Sequence, residues 1–382
     1  MHQKNPAPTV FGDWSRRQSA ETNSIGEHDC QHGSINVKMM HPETCTKPMQ
    51  QQIQYCTTPD GIRLAYSVIG KGTPIVRASH WFNNLEYDLK SPVYRHIILG
   101  LAHRHSLLRY DARGNGLSQR EVAEISFDLW ISDLETVVDR AGLDRFTLIG
   151  ISQGAAIAIA YAVKHPDRIS HLIIYGGYAR GLLHRGNPEK QEHELDLART
   201  LIREGWGSDQ ETYRQFFTSQ IIPDGTAEQY RSLNEMERIS ATPELAERLL
   251  CEFAKVNVTD LLPKVTVPTL VLHVRGDLRA PFADGQQIAA NIPGAKFVPL
   301  EGRNHFILPN DRAHRGFFDA ISSFLDDRPM RGSLPGTANF WERLEQRMRN
   351  LEQNWFIKFV IILAALTGVA IFFLEIWRIL HH

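Results

Sequence analysis

The sequence predicts an α/β protein built on a mostly parallel, eight-stranded sheet with helices on both faces and a helical cap. Three observations carry this. Short apolar runs alternate with helical patterns from about residue 52 to residue 325. The first two runs are separated by Pro59-Asp60-Gly61, a hairpin turn signal that makes one edge of the sheet antiparallel. A Gly-x-Ser-x-Gly sequence at 150–154 lies between an apolar strand pattern and a small-residue helix pattern.

Taken in order, Ile53 to Thr57 and Ile62 to Ile69 form the hairpin, and Pro74 to Ala78 is a third short strand. His103 to Asp111 contains a fourth, in Ser106-Leu107-Leu108-Arg109-Tyr110-Asp111. Phe127 to Ala141 is helical, because Leu129, Ile131, Leu134, Val137 and Val138 fall largely on one face. Phe146 to Gly150 is a buried strand, and Ala155 to Val163 is an alanine-rich helix stopped by His165-Pro166. Ile169 to Tyr175, Leu270 to Val274 and Lys296 to Leu300 complete the strands. Helices are expected around Gly285 to Asn291 and from about Asp311 to Leu325. Residues 179–261 interrupt the alternation with helical patterns and read as a cap over one end of the sheet. Pro263 and Pro268 mark the return to the core, so the domain spans 51–325.

The bulk numbers are those of an ordinary globular protein. Charged residues make up 22% and apolar residues 42% of 382, and the formal net charge is −1, which gives no electrostatic basis for a nucleic-acid partner. Four cysteines (Cys30, Cys45, Cys56 and Cys251) are too few and too scattered for a disulfide framework, and a reducing compartment is the simpler reading. Residues 1–50 hold no apolar stretch of signal-peptide type and read as a disordered polar tail. His28, Cys30, His32, His41 and Cys45 are zinc-type ligands there, but their spacing fits no common module, so no metal and no cofactor is expected.

The other end is apolar. After a linker at 326–339, rich in Pro and Gly, residues 340–355 read as an amphipathic helix with Phe340, Leu344, Met348, Leu351 and Trp355 on one stripe. Residues 356–377 then form an apolar run with charge only at Lys358 and Glu375, near its ends. Its 22 residues would extend about 33 Å as a helix, enough to cross a bilayer core. Trp355 and Trp377 stand where interfacial aromatics belong. Arg343, Arg347, Arg349 and Lys358 lie on the N-terminal side of the uncharged stretch Phe359 to Leu374 and only Arg378 follows it, so the expectation is a single-pass C-terminal anchor with the large domain in the cytoplasm. Residues 340–377 could also pair with a second copy as a homodimer.

The chemistry centres on Ser152. In Gly150-Ile151-Ser152-Gln153-Gly154 the strand-turn-helix setting is what a nucleophile elbow requires: a tight turn exposes the serine, and its neighbours two residues away must be small. Serine needs a base at neutral pH, and His305, in the loop after the last strand, supplies one. Asp277, just past Leu270–Val274, can orient the imidazole and stabilise its cation. The amide of Gln153 at the helix N-terminus, with that of Trp81 or Phe82, would form the oxyanion hole. His80, Phe82 and Phe306 flank the site and would wall an apolar pocket, closed by cap residues such as Trp206, Phe216 and Phe217. Asp111 and Arg113, beside Gly114 and Gly116, read as structural.

The stretches Tyr55 to Gly70, Arg77 to Asp88 (RASHWFNNLEYD), Arg109 to Ser118 (RYDARGNGLS), Leu148 to Gly154 and Tyr175 to Gly181 resemble the α/β-hydrolase fold family. More narrowly, they are similar to hydrolase-like domains fused to adenylate cyclases and LuxR-type regulators. The resemblance implies the α/β-hydrolase fold and a serine hydrolase acting on an ester, thioester, amide or lactone of a small-molecule acyl substrate. The third-strand loop departs from the family: Ser79-His80-Trp81-Phe82 lacks the usual His-Gly. Kinship with regulator-fused domains leaves a non-catalytic ligand-sensing role and acyl transfer as alternatives.

Overall fold

The computed structural model describes residues 51–208 and 210–327. Eight strands form one sheet: β1 (Gln52–Thr57), β2 (Arg63–Ile69), β3 (Thr73–Arg77), β4 (His105–Tyr110), β5 (Phe146–Ile151), β6 (Ile169–Tyr175), β7 (Thr269–Val274) and β8 (Lys296–Leu300). Their order is β1-β2-β4-β3-β5-β6-β7-β8. The pairs β1–β2 and β2–β4 are antiparallel, and every pair from β4 to β8 is parallel. The chain steps from β3 out to β4 and then back past β3 to β5. That reversal opens a crevice beyond the C-terminal ends of β3 and β5, the place where such sheets bind ligands.

Alternation along the strands divides the core. Leu148, Ile174 and Val271 face one side, packed with Leu134 and Val138 of α3 (Phe127–Arg140) and Ala158 and Tyr161 of α4 (Gly154–Lys164). Ile149, Ile173, Leu270 and Leu272 face the other, against α2 (Arg95–Ala102) and α10 (Arg312–Leu325). β5 and β7 are buried along their whole length because both faces are covered, which explains their continuous apolar sequence. The one-turn helix α1 (Leu85–Asp88) follows β3, and α9 (Phe282–Asn291) lies between β7 and β8.

Between β6 and β7 the chain forms α5 (Pro188–Gly205), α6 (Thr212–Ile221), α7 (Ala227–Ser240) and α8 (Pro243–Lys255). Local sequence starts them: Asn187 and Thr242 cap α5 and α8, each followed by proline in the first turn, and Thr226 with Gln229 makes a capping box on α7. Trp206, Phe217 and Phe253 of this cap pack on Trp81 of the loop after β3.

Buried charges tie the loops to the sheet. Arg113 grips Asp133 through Nε and Nη2 at 2.6–3.1 Å and Asp60 through Nη1 at 2.8 Å. Arg77 and Arg109 share Asp88. Asp111 accepts the amides of Leu85 and Leu117, and an added Cβ on Gly116 would fall 2.2 Å from its Oδ2. Asp111 and Arg113 therefore hold backbone.

Residues 1–50 and the segments at 340–355 and 356–377 lie outside the described residues. Among the described residues, no helix is long and apolar enough to cross a membrane.

Candidate active site

Ser152 follows β5 directly and has a φ of 53°, a left-handed conformation that costs a residue with a side chain about 1 to 3 kcal/mol. The surroundings enforce it. The Ser152 amide donates to the Tyr175 carbonyl at 3.0 Å, and the Ala155 amide donates back to the Ser152 carbonyl at 3.1 Å. The two flanking glycines are required by close approach. A Cβ on Gly150 would stand 2.7 Å from Ala155 Cα, and one on Gly154 would stand 2.8 Å from the Ser79 carbonyl oxygen. Gln153, buried, caps the N-terminus of α4, where amides and helix dipole favour negative charge.

Asp277 and His305 meet beyond the same sheet edge. His305 Nδ1 lies 2.6 Å from Asp277 Oδ2, and both side chains are almost fully buried. The other oxygen of Asp277 accepts the amides of Arg279 and Ala280 at 2.8 and 2.9 Å. Burial pushes the Asp277 carboxyl up. The charge and hydrogen bond of His305, with the Ala280 amide, outweigh it, and the net shift is downward. The ionised form that accepts from His305 Nδ1–H is therefore favoured. His305 Nε2 is buried and has no partner.

Tyr175 connects the serine to the histidine. Its carbonyl receives the Ser152 amide, and its hydroxyl donates to the His305 carbonyl at 2.6 Å. Gly176, which follows, would bring an added Cβ within 3.1 Å of the imidazole. The histidine loop is also held from the cap: the His305 amide donates to Ile221 O at 2.7 Å, and Asn304 Oδ1 accepts the Asp224 amide at 2.9 Å. Asn304 Nδ2 donates to Asp311. Tyr175, Asn304 and Asp311 were not among the sequence-predicted site residues. The only local signal for them is a polar pair seven residues apart astride His305.

The loop after β3 turns on Asn83, whose side-chain oxygen accepts from Ser79 Oγ at 2.5 Å and from the His80 amide at 3.2 Å. Trp81, next in the chain, is buried, with the Arg279 guanidinium 5.9 Å from its ring centroid. His80 packs between Tyr94 and Phe306. Burial, then the charges of Arg77 and His305, push the His80 imidazole well below its usual range, so it is neutral.

The expected pocket needs correcting in two respects. Phe82 packs against Trp81 and Trp206 and lines neither cavity beside the site, whereas His80 and Phe306 line a small one of about 30 Å³ with Ile151 and Tyr175. The larger cavity, about 620 Å³, lies between cap and sheet edge, lined by Leu182, Phe217, Phe253, Leu278 and Arg279 among others. It is not purely apolar. The charged chain at Arg279 comes from the acid's own loop, where periodicity carries no information.

The alpha/beta hydrolase fold family matches this chain over residues 84–311. The non-heme chloroperoxidase CPO-A1 of Kitasatospora aureofaciens is 26% identical over 67% of this chain and 94% of its own length. The pimeloyl-[acyl-carrier protein] methyl ester esterase of Nitrosomonas europaea is 26% identical over 60% of this chain and 87% of its own. Among solved structures, an esterase from Exiguobacterium antarcticum superposes with a TM-score of 0.61 at 21% identity, covering 72% of this chain and all of its own, a likeness of fold.

Proposed function

Given that the chain belongs to the α/β-hydrolase fold family and is an enzyme of that class, we propose that it is a serine hydrolase cleaving an ester through an acyl-enzyme on Ser152. The observation that carries this reading is the left-handed Ser152 beyond the sheet edge that also holds the Asp277–His305 pair, with His305 Nε2 left unpartnered.

In the proposed reaction Ser152 Oγ attacks the carbonyl carbon while His305 Nε2 takes its proton. Asp277 stabilises the imidazolium that forms. The amides of Gln153 and Trp81 receive the oxyanion. The tetrahedral intermediate then expels the alcohol, which leaves with the proton from His305. Water, deprotonated by the same nitrogen, repeats the sequence and releases the acid. Each step is proton-neutral within the site, and no cofactor is invoked. Relatives named as esterases support ester chemistry. A fluorophosphonate probe tests it: wild type should label and Ser152→Ala should not, and failure of wild type to label overturns the reading.

The location is proposed separately. Residues 356–377 anchor the protein to a membrane as a single C-terminal span, with 340–355 at its surface and the catalytic domain on the cytoplasmic side. A homodimer through 340–377 belongs to the same proposal. Fractionation decides it. Full-length protein should pellet with membranes, and a chain ending at Thr337 should not; recovery of both in the soluble fraction removes the anchor.

A further inference from the structure

Arg279 lines the 620 Å³ cavity two residues after the acid of the site, and its guanidinium lies 5.9 Å from the Trp81 ring centroid. Its backbone amide serves Asp277, but among the described residues no acceptor hydrogen-bonds its side chain and no carboxylate pairs with it. The guanidinium is part-buried and stays within reach of solvent.

The two carboxyl groups whose charge acts on it, Asp277 and Glu237, do not pair with it. Asp277 is bonded to His305 and to two amides. Glu237 of α7 is fully buried with both oxygens unpartnered. Burial pushes its carboxyl well above the usual carboxylate range, against the pull of Arg214 and Arg279, so it is held as the neutral acid. The other cation on the cavity, Arg185, is already paired with Asp284 at 3.2 Å and stacked on Tyr178. Arg279 lies on the remaining surface with Leu278, Phe217 and Phe253 around it. The arrangement is an unpaired charged fork on a cavity of mixed polar and apolar lining, next to Leu278 of the acid loop, with the Trp81 ring centroid 5.9 Å away.

We propose that Arg279 is the specificity-determining residue of this pocket and that it selects esters bearing a free carboxylate. The inference rests on the Ser152 reading for the scissile bond, but not for the binding itself. A planar carboxylate can take two parallel N–H bonds from a guanidinium, and a charge-assisted pair of that kind is stronger than a neutral one. The aromatic and aliphatic side chains beside the cation suit an aliphatic half-ester, its chain along Phe217 and Phe253 and its carboxylate on Arg279.

Binding to Ser152→Ala protein, measured by calorimetry with monomethyl glutarate and dimethyl glutarate, tests this without turnover. The monoester should bind about 10- to 100-fold tighter than the diester, the size of a charge-assisted hydrogen-bond pair. Adding Arg279→Gln should collapse that ratio to about one, and Arg279→Lys should restore part of it. Absence of a preference in the Arg279 protein, from equal binding or from no binding of either ester, overturns the proposal. A preference that survives Arg279→Gln does the same. Because the fluorophosphonate result is read separately, a protein that fails to label but still prefers the monoester loses the hydrolase reading and keeps this one.

Discussion

Arg113 and Arg279 are both arginines withdrawn from solvent in loops beyond the sheet edge, and the fold treats them oppositely. Arg113 is saturated: every nitrogen of its guanidinium donates to Asp133 or Asp60. Arg279 has no side-chain acceptor among the described residues, and its neighbour in charge, Glu237, has both oxygens unpartnered. The carboxylates differ in the same way, Asp133 enclosed by one guanidinium and Glu237 held neutral by burial. A buried ion supplied with all its partners by the chain fixes the position of a loop. One left without them keeps its hydrogen-bonding capacity for something that arrives. His305 Nε2 belongs with the second group.

That division can be broken experimentally, and four changes rank by size. Ser152→Ala should lower hydrolysis by on the order of 10⁴-fold or more, with the urea midpoint almost unmoved; a large loss of stability would mean that the serine is scaffold after all. Asp133→Ala leaves Arg113 as a buried cation half-paired and should cost about 3 to 5 kcal/mol in denaturant unfolding. A cost under about 1 kcal/mol would erase the contrast with Arg279. Gly150→Ala places a methyl 2.7 Å from backbone at Ala155 and should cost about 1 to 3 kcal/mol while lowering turnover by displacing the elbow; stability lost with turnover intact would detach Gly150 from the site.

Glu237→Gln should show the smallest effect, and only as a slope with pH. The folded pKa of Glu237 is raised above its ordinary value of 4.5. Its contribution to stability is therefore fully present below that value and is lost as pH rises through the folded pKa. Wild type should lose stability through this group as pH rises above 4.5 towards the raised folded value, and the glutamine variant should flatten that part of the curve. Identical pH profiles of thermal unfolding for the two proteins would show that Glu237 finds a partner in solution.

The strands were legible because each is a short apolar run bounded by turn residues, and the burial of β5 and β7 on both faces gives that pattern its cause. Ser152, Asp277 and His305 can be picked out as candidates because each lies within a few residues after the end of a strand (β5, β7 and β8), a local property. What lay outside reach depends on tertiary approach. Helix α2 (Arg95–Ala102) went unpredicted because His96 and Gly100 interrupt its apolar face, and an added Cβ on Gly100 would collide with the Phe318 ring at 2.4 Å. The cap was read as helical without boundaries. The isolation of Arg279 is not a property of any window of sequence, since it depends on Asp277 being engaged by His305, 28 residues on, and on Glu237 being buried in the cap. The place of Phe82 lies beyond sequence for the same reason: Trp206, in the cap, packs on that ring.

The amide of His305 is bonded to Ile221 and the side chain of Asn304 to the amide of Asp224, both in the cap, with Arg303 paired to Asp224 at 2.9 Å as well. His305 is thus moored to the cap as much as to the sheet. Recombination that exchanged the cap for another while keeping the strands would remove that mooring of the histidine loop. A different cap would hold the histidine loop in the same way only if it placed a carbonyl and an amide at the positions of Ile221 and Asp224.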